Sequence, residues 1–481
     1  LINHCTEIPR PVERLHAACI ARGQAAIKSR CKLLGLASSF RGDILMGEAS
    51  LKDILVVIQR TINSVDSRLE NHGEQVSYLC LQIGRAMGLP DAQILPLCST
   101  AMIHDIGAYK VEERQRMTEF EVIDPHEHAV YGSLFFRYFS PLHKMADAIL
   151  YHHWKYEDRF RLIDDRPVPW EGFLIHLADR VSVLYKQFGK RLPLAVEDHI
   201  PRMAETVFDP KHVDTFIHLL KNTDIIEKML DGRYLPELYD YLDSVPLDWE
   251  QSVAYLCMLV YAIEFRSRST VTHSISVEAC ARQIAELMHL SDSDRNILRS
   301  AALLHDVGKI TIPIDVLTKP GKLTPQEMDT MRRHVVATSE IIGGTGLDHL
   351  NSIASSHHEK LNGKGYPKGL SADQLCTKSR ILAVADIFTA LVEPRYYKPA
   401  LSKDEVLAIM ARSAAEGEID TGIVGIVEDK FDRIISEMDR KQREALALYD
   451  NVMWEYDHLM QMVHSTLGIS PVSDITVGKA A

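Results

Sequence analysis

One ordered set of histidines and aspartates occurs twice in this chain, so a fold that accommodates it must itself repeat. His72 is followed thirty-two residues later by His104-Asp105, and His273 is followed at the same interval by His305-Asp306. Each series continues with a single histidine (His128, His334), a tandem pair (His152-His153, His357-His358) and an Ala-Asp dipeptide ending in Asp179 or Asp386. The offset between the two series is about 201 residues at the first members. Seven ordered positions of ligand-forming type do not recur by chance, and the repeat predicts two homologous units.

The spacing of apolar residues sets the class of those units. Leu51, Ile54, Leu55, Ile58 and Ile62 form one stripe of helical period, and Val253, Leu256, Leu259, Val260 and Ile263 form another. Alternating β-branched runs are nearly absent, so the fold class is all-α, with two tandem helical bundles. The 481 residues are enough for two cores of about 200 residues each. The boundaries read as 1–48 for a basic, helical N-terminal segment, 49–245 for the first bundle and 246–425 for the second. Residues 426–481 then form a terminal helix. Its apolar rhythm (Phe431, Ile435, Met438, Leu446, Tyr449, Val452, Tyr456, Leu459, Val463) suits packing on its own domain, or pairing with a second subunit in a homodimer.

Charge and cysteine content exclude several classes of function. A formal net charge of −12 repels nucleic-acid polymers and anionic lipid, so neither is expected as a bulk partner. No apolar run approaches the ~18 residues that span a bilayer. The eight cysteines are scattered without a CxxC pair, as in a reduced, cytoplasmic protein. The chain begins at Leu1 instead of Met, which leaves the native N-terminus open. An anionic substrate would need a locally positive pocket, and bound metal supplies one.

A lone His-Asp dipeptide is weak evidence for metal, and a lone helical histidine is more often a satisfied structural residue. Accumulation changes the balance. The second half concentrates His273, His305, Asp306, His334, His357, His358 and Asp386, more donors than a single ion uses. Imidazole with carboxylate suits Fe, Mn, Zn or Co, not the all-oxygen sites of Mg or Ca. An Asp beside the first pair can offer one oxygen to each of two ions.

The second half also contains His305-Asp306-Val307-Gly308-Lys309, Ile312-Pro313, Lys319-Pro320-Gly321, His357-His358-Glu359, Asn362-Gly363 and Gly365-Tyr366-Pro367. Over residues 260–415 this resembles the signature of HD-GYP domains, a branch of the HD phosphohydrolase superfamily. The resemblance implies a cyclic dinucleotide phosphodiesterase, acting on cyclic di-GMP or 3′,3′-cyclic GMP-AMP, with two or three Fe or Mn ions. It implies metal ligation by the seven residues just named and catalysis at Asp306 and Lys309. Lys309, Arg395 and Lys398 are expected to hold the substrate phosphate, with Tyr366 in a loop that covers the ligand or meets a protein partner. The product would be a linear 5′-phosphorylated dinucleotide, with a second cut to mononucleotides left open. Family members with a third metal carry a Glu four residues before the first histidine. Here that position is Ser269, so two ions are expected. Thr324-Pro325-Gln326-Glu327 has a non-functional reading, a helix capping box with Pro at N1.

The first half keeps His72, His104, Asp105, His128, His152, His153 and Asp179, a second candidate metal site. It has Ala108 where the second half has Lys309, and no Gly-Tyr-Pro follows His153. Three readings stand for it: a metal-bearing regulatory or dimerising domain, an active domain with another substrate, or a relic whose histidines are structural. For the second half the rivals to hydrolysis are a non-hydrolytic cyclic dinucleotide receptor and an HD phosphohydrolase of another nucleotide.

Overall fold

The computed structural model describes residues 50–64, 70–108, 125–265, 271–393 and 400–469. The N-terminal segment 1–48, Ser269, Arg395 and Lys398 lie outside the described residues. Those described are helical, with a few isolated backbone bridges and no strand. No helix among them is long and apolar enough to cross a membrane.

The repeat of sequence is a repeat of helices. In the first half the principal helices are α1 (Leu51–Asn63), α2 (His72–Ala86), α3 (Asp91–Met102), α4 (His126–Phe139) and α5 (Trp170–Phe188). After a short helix, Leu192–His199, three more follow before the second half, α6 (Pro210–Asn222), α7 (Ile225–Asp231) and α8 (Tyr234–Asp243). In the second half α9 (Trp249–Glu264), α10 (His273–Leu287), α11 (Asp292–Leu304), α12 (Pro325–Ile342) and α13 (Thr377–Val392) take up the same order. They are followed by α14 (Lys403–Ala415), α15 (Thr421–Asp429) and α16 (Phe431–Leu467). In each half one central helix, α2 or α10, packs on the two that carry the His-Asp pair and the distant Asp.

Local chemistry sets the helix starts. Ser50 and Asp53 form a capping box at α1, and Asp248 with Gln251 forms one at α9. The Thr324–Glu327 box with Pro325 at N1 opens α12 as the sequence predicts. Backbone pairing of Ser50 with Pro246 then returns the end of the first half to its beginning.

The apolar stripes of α1 and α9 face each other. Ile54, Leu55 and Ile58 are fully buried, as are Val253, Leu256 and Leu259, and the two helices are in contact. One continuous core results, and the described residues fall in one compact unit. Helix α16 reinforces the join. It runs for 37 residues, about 55 Å at the usual rise, and buries Ile434, Met438, Ala445, Val452, Leu459 and Val463. Its first part packs on α10, and its last part lies on α4, where Tyr456 stacks on Tyr131 with centroids 3.9 Å apart. The apolar rhythm of the terminal helix is thus used within the chain, against both halves and not one alone.

The glycine after each His-Asp pair marks a close approach. A Cβ on Gly308 would lie 2.0 Å from the carbonyl oxygen of His334, and one on Gly107 would lie 2.1 Å from that of His128. Thr338 locks the same turn, accepting from Gly308 N at 3.0 Å and donating to His305 O at 3.1 Å. Only glycine lets the His-Asp turn seat against α12, which carries His334. Gly308→Ala is therefore expected to cost about 3 kcal/mol of stability, measured by denaturant unfolding. A cost below about 0.5 kcal/mol would show that the turn is free to shift.

Candidate metal centres

Equivalent helical positions deliver the ligand-type side chains in both halves. The first histidine opens the central helix (His72 on α2, His273 on α10), and the His-Asp pair follows the end of α3 or α11. The tandem pair follows a short helix, Ala146–Leu150 or Asp348–Ala354, and the last aspartate lies within α5 or α13.

In the second half all seven side chains converge. His273 Nε2 lies 3.5 Å from Asp306 Oδ2 and 3.5 Å from Asp386 Oδ1. His305 Nε2 lies 3.1 Å from Asp306 Oδ2. On the other side of the same carboxylate, Asp306 Oδ1 faces His334 Nε2 at 3.4 Å and His357 Nε2 at 3.9 Å. His358 Nδ1 approaches Asp386 Oδ2 at 3.9 Å. Two groups able to hold an ion result, His273/His305/Asp306 and His334/His357/His358, with Asp306 presenting one oxygen to each.

The backbone decides which nitrogen points inward. His305, His334 and His357 each place Nδ1 against the carbonyl three residues back, at 2.7, 2.6 and 2.7 Å. A carbonyl only accepts, so Nδ1 carries a proton, and whenever the ring is neutral its bare Nε2 lone pair faces the centre. Burial holds His334 and His357 below the ordinary histidine range, which keeps them neutral. Their two Nε2 atoms then face each other at 3.4 Å, lone pair to lone pair. The buried Nε2 of His305 and Oδ1 of Asp306 also have no hydrogen-bond partner. Donors crowded in this way fit a bound cation and do not fit a dry polar core.

The charge around the cluster is uneven. Burial alone would lower His273, but hydrogen bonds to Asp306, Asp386 and Glu393 carry it well above the usual range. Burial opposes ionisation of Asp306, and the nearby His305 and Lys309 overcome it, holding the carboxyl well below its usual range. Burial brings His358 down to about 4.

Lys309 Nζ closes on Asp306 Oδ2 at the open edge of the cluster. Tyr366 lies over His358 with ring centroids 4.8 Å apart, and the guanidinium of Arg332 stands 5.4 Å from the Tyr366 ring. The Gly-Tyr-Pro loop is held by Glu359, which is buried and accepts from Lys368 N at 2.7 Å and Leu370 N at 2.9 Å. A Cβ on Gly365 would meet Lys360 N at 2.3 Å, so the loop passes where only glycine fits.

The first half assembles the same ligand types with different surroundings. His72 Nε2 lies 3.2 Å from Asp179 Oδ1, and Asp105 Oδ1 faces His104 Nε2 at 3.3 Å and His128 Nε2 at 3.7 Å. His128/His152/His153 and His72/His104/Asp179 are again groups that could each hold an ion. The buried Nε2 of His104 and of His152 and Oδ1 of Asp105 have no hydrogen-bond partner. Here, however, the outer oxygen of Asp179 is gripped by buried Arg180, with Nη2 at 2.7 Å and Nε at 3.0 Å. Ala108 is fully buried in the position equivalent to Lys309. The side chain of His72 is 5% exposed against 20% for His273, and His358 reaches 29%. The second centre is open and the first is closed. A cavity of about 690 Å³ between α2, α5 and α7–α8 borders His72 from outside.

Sequence reasoning missed Glu393, Arg332 and Arg180, and it named Glu359 only as part of a motif, without a role. Glu393 lies 3.2 Å from His273 Nδ1, which no motif spacing announces. Arg180 follows the ligand-type Asp179 directly, and a charged residue buried in mid-helix beside it was the available signal.

Comparison with known proteins agrees with this geometry. Residues 258–423 match the family model described as HD domain. The His-Asp pair, the tandem histidines and the Gly-Tyr-Pro loop all lie inside this matched segment, so the second half contains an HD domain. A 3′3′-cGAMP-specific phosphodiesterase 1 of Vibrio cholerae is 28% identical over 79% of this chain and 91% of its own length. A 3′3′-cGAMP-specific phosphodiesterase 3 of the same organism is 35% identical over 51% of this chain and 55% of its own. A cyclic di-GMP phosphodiesterase response regulator of Xanthomonas campestris is 41% identical, over 32% of this chain and 42% of its own. A solved cyclic GMP-AMP-specific phosphodiesterase of V. cholerae shares the fold, with a TM-score of 0.53 at 21% identity. That alignment covers 84% of this chain and 98% of that one.

Metal loading should therefore be visible without any substrate. Ions that satisfy the crowded donors bind the folded state alone, and at one hundred times the dissociation constant each site adds about 2.7 kcal/mol of stability. Anaerobic addition of Mn²⁺ to chelator-treated protein is expected to raise the thermal midpoint. An unchanged midpoint would mean that the histidines are satisfied without metal.

Proposed function

We propose that the chain is a metal-dependent phosphodiesterase that opens a cyclic dinucleotide at the second-half centre, residues 246–425. The observation that carries this is the asymmetry between the two centres. Only the second combines a carboxylate facing both histidine groups with an open edge bearing Lys309, Tyr366 and Arg332. The names of the relatives support a cyclic dinucleotide, cyclic di-GMP or 3′,3′-cyclic GMP-AMP, as the substrate class.

In this reading His273, His305, Asp306, His334, His357, His358 and Asp386 hold two Fe or Mn ions. When bound, such ions neutralise phosphoryl charge and bring the pKa of water toward neutrality. Asp306 keeps both groups in register, because its two oxygens face opposite sides of the cluster. Lys309 stands at the edge where a phosphate would enter, and its ammonium exchanges Asp306 for a phosphoryl oxygen. Arg395 and Lys398 belong to the same proposed grip. Tyr366 and Arg332 form an aromatic and cationic wall on which a base can stack. The first half, residues 49–245, serves as a closed metal-bearing partner without the phosphate grip, since Arg180 holds Asp179 and Ala108 replaces the lysine.

Two outcomes test the reading. Lys309→Ala is expected to keep wild-type metal content and to lower kcat/KM about a hundredfold, the worth of one charge-assisted phosphate contact. A parallel fall in metal content would reassign Lys309 to holding the cluster together. Anaerobic reconstitution with Fe or Mn, followed by product analysis on cyclic di-GMP, 3′,3′-cyclic GMP-AMP and cyclic di-AMP, is expected to yield a linear 5′-phosphorylated dinucleotide. Binding without consumption of any of the three would favour a receptor.

A further inference from the structure

The two halves orient their first histidine by different means. In the first half His72 Nδ1 meets Ser182 Oγ at 2.9 Å, and that hydroxyl donates to Gln75 Oε1 at 2.6 Å. Both partners sit on α5 and α2, the helices that already carry ligand-type residues. In the second half the repeat places Thr389 and Ser276 at these positions, and His273 Nδ1 faces Glu393 Oε2 at 3.2 Å instead. A neutral hydroxyl has been replaced by a carboxylate.

That carboxylate stands in a poor place for a negative charge. Glu393 is the C-cap of α13, where the helix dipole disfavours an anion. Its compensation comes from His273, from the Ser276 hydroxyl on α10 and from α16. Gln442 Nε2 donates to Glu393 Oε1 at 2.8 Å and to Ser276 Oγ at 2.9 Å. A carboxylate on the far nitrogen of a ligating histidine fixes the ring and makes it a stronger donor to metal. Gln442 thus braces the group that sets the ring.

Fourteen residues further along the same helix, about 21 Å, Tyr456 stacks on Tyr131 of α4. Asn451 Nδ2 donates to Tyr138 Oη at 2.8 Å, and Arg137 pairs with Glu455 at 3.5 Å. Helix α4 also bears His128, one turn before Tyr131. A single unbroken helix therefore joins the far-side support of the second centre to a helix that supplies the first.

We propose that Gln442 is a positioning residue for the second-half metal centre, holding Glu393 so that Glu393 orients His273. Through α16, retention of metal in the second half then depends on packing against the first. This rests on the metal-centre reading given under Proposed function.

The test uses the full chain, stripped of metal and titrated anaerobically with Mn²⁺ while free Mn²⁺ is followed by its magnetic resonance signal. The class of sites lost in Asp306→Ala identifies the second centre. Gln442→Ala is expected to weaken that class about tenfold, with kcat reduced and KM within twofold of wild type. Gln442→Glu keeps the side-chain shape but sets a second carboxylate against Glu393, and is expected to weaken binding more than alanine does. A packing role alone predicts the reverse order. Tyr456→Ala should weaken the same class several-fold with every residue of the relay intact, while Tyr456→Phe, which keeps the stacked ring, should not. Wild-type affinity in both Gln442 variants overturns the positioning role, and wild-type affinity in Tyr456→Ala overturns the link to the first half. Failure of the unaltered protein to bind Mn²⁺ would instead overturn the metal-centre reading, and this inference with it.

Discussion

A buried carboxylate with imidazoles on both of its faces is the constraint around which this molecule is arranged. Asp306 offers Oδ2 to His273 and His305 and Oδ1 to His334 and His357. Backbone carbonyls three residues back take the Nδ1 protons of three of those rings, which leaves the Nε2 lone pairs of His334 and His357 pointing at one another across 3.4 Å. In an apolar helical core such an assembly is unfavourable unless positive charge lies within it. The glycine that lets the His-Asp turn reach α12, the threonine that locks it and the carbonyls that aim the rings all serve that arrangement.

Duplication then allowed the two centres to diverge at their edges while their interiors stayed alike. The first half keeps the donors and closes the entrance: Arg180 grips Asp179, and an alanine replaces the lysine. The second keeps the entrance and furnishes it with Lys309, Arg332 and the loop around Tyr366. Metal sites with every position enclosed tend to be structural, whereas those with an accessible side do chemistry. The shared core between α1 and α9 and the span of α16 keep the two centres in one body. In the proposed reading, the closed centre acts on the open one through this shared packing, without meeting substrate.

Much of this was legible in the residues alone. The order of histidines and aspartates named the ligand-type side chains that converge at the two centres, because a ligand must be a particular residue type and duplication preserved the order. The capping box at Thr324 was equally readable, since it depends on residues three apart. What escaped depends on contacts between distant segments. Glu393 meets His273 across 120 residues, and Gln442 meets Glu393 from another helix. The rhythm of the terminal helix told that one face is apolar and could not name what covers it. That face lies on α10 and on α4, one in each half.

The claim that the second centre alone performs the hydrolysis is tested most directly by comparing Asp306→Ala with Asp105→Ala. Both would be assayed for cyclic dinucleotide turnover after anaerobic metal loading. The account predicts that the Asp306 variant loses about a thousandfold or more, several kcal/mol of transition-state stabilisation. The Asp105 variant should keep turnover within about tenfold of wild type. Near-wild-type turnover in Asp306→Ala, or its abolition in Asp105→Ala with the second centre fully loaded, would contradict it.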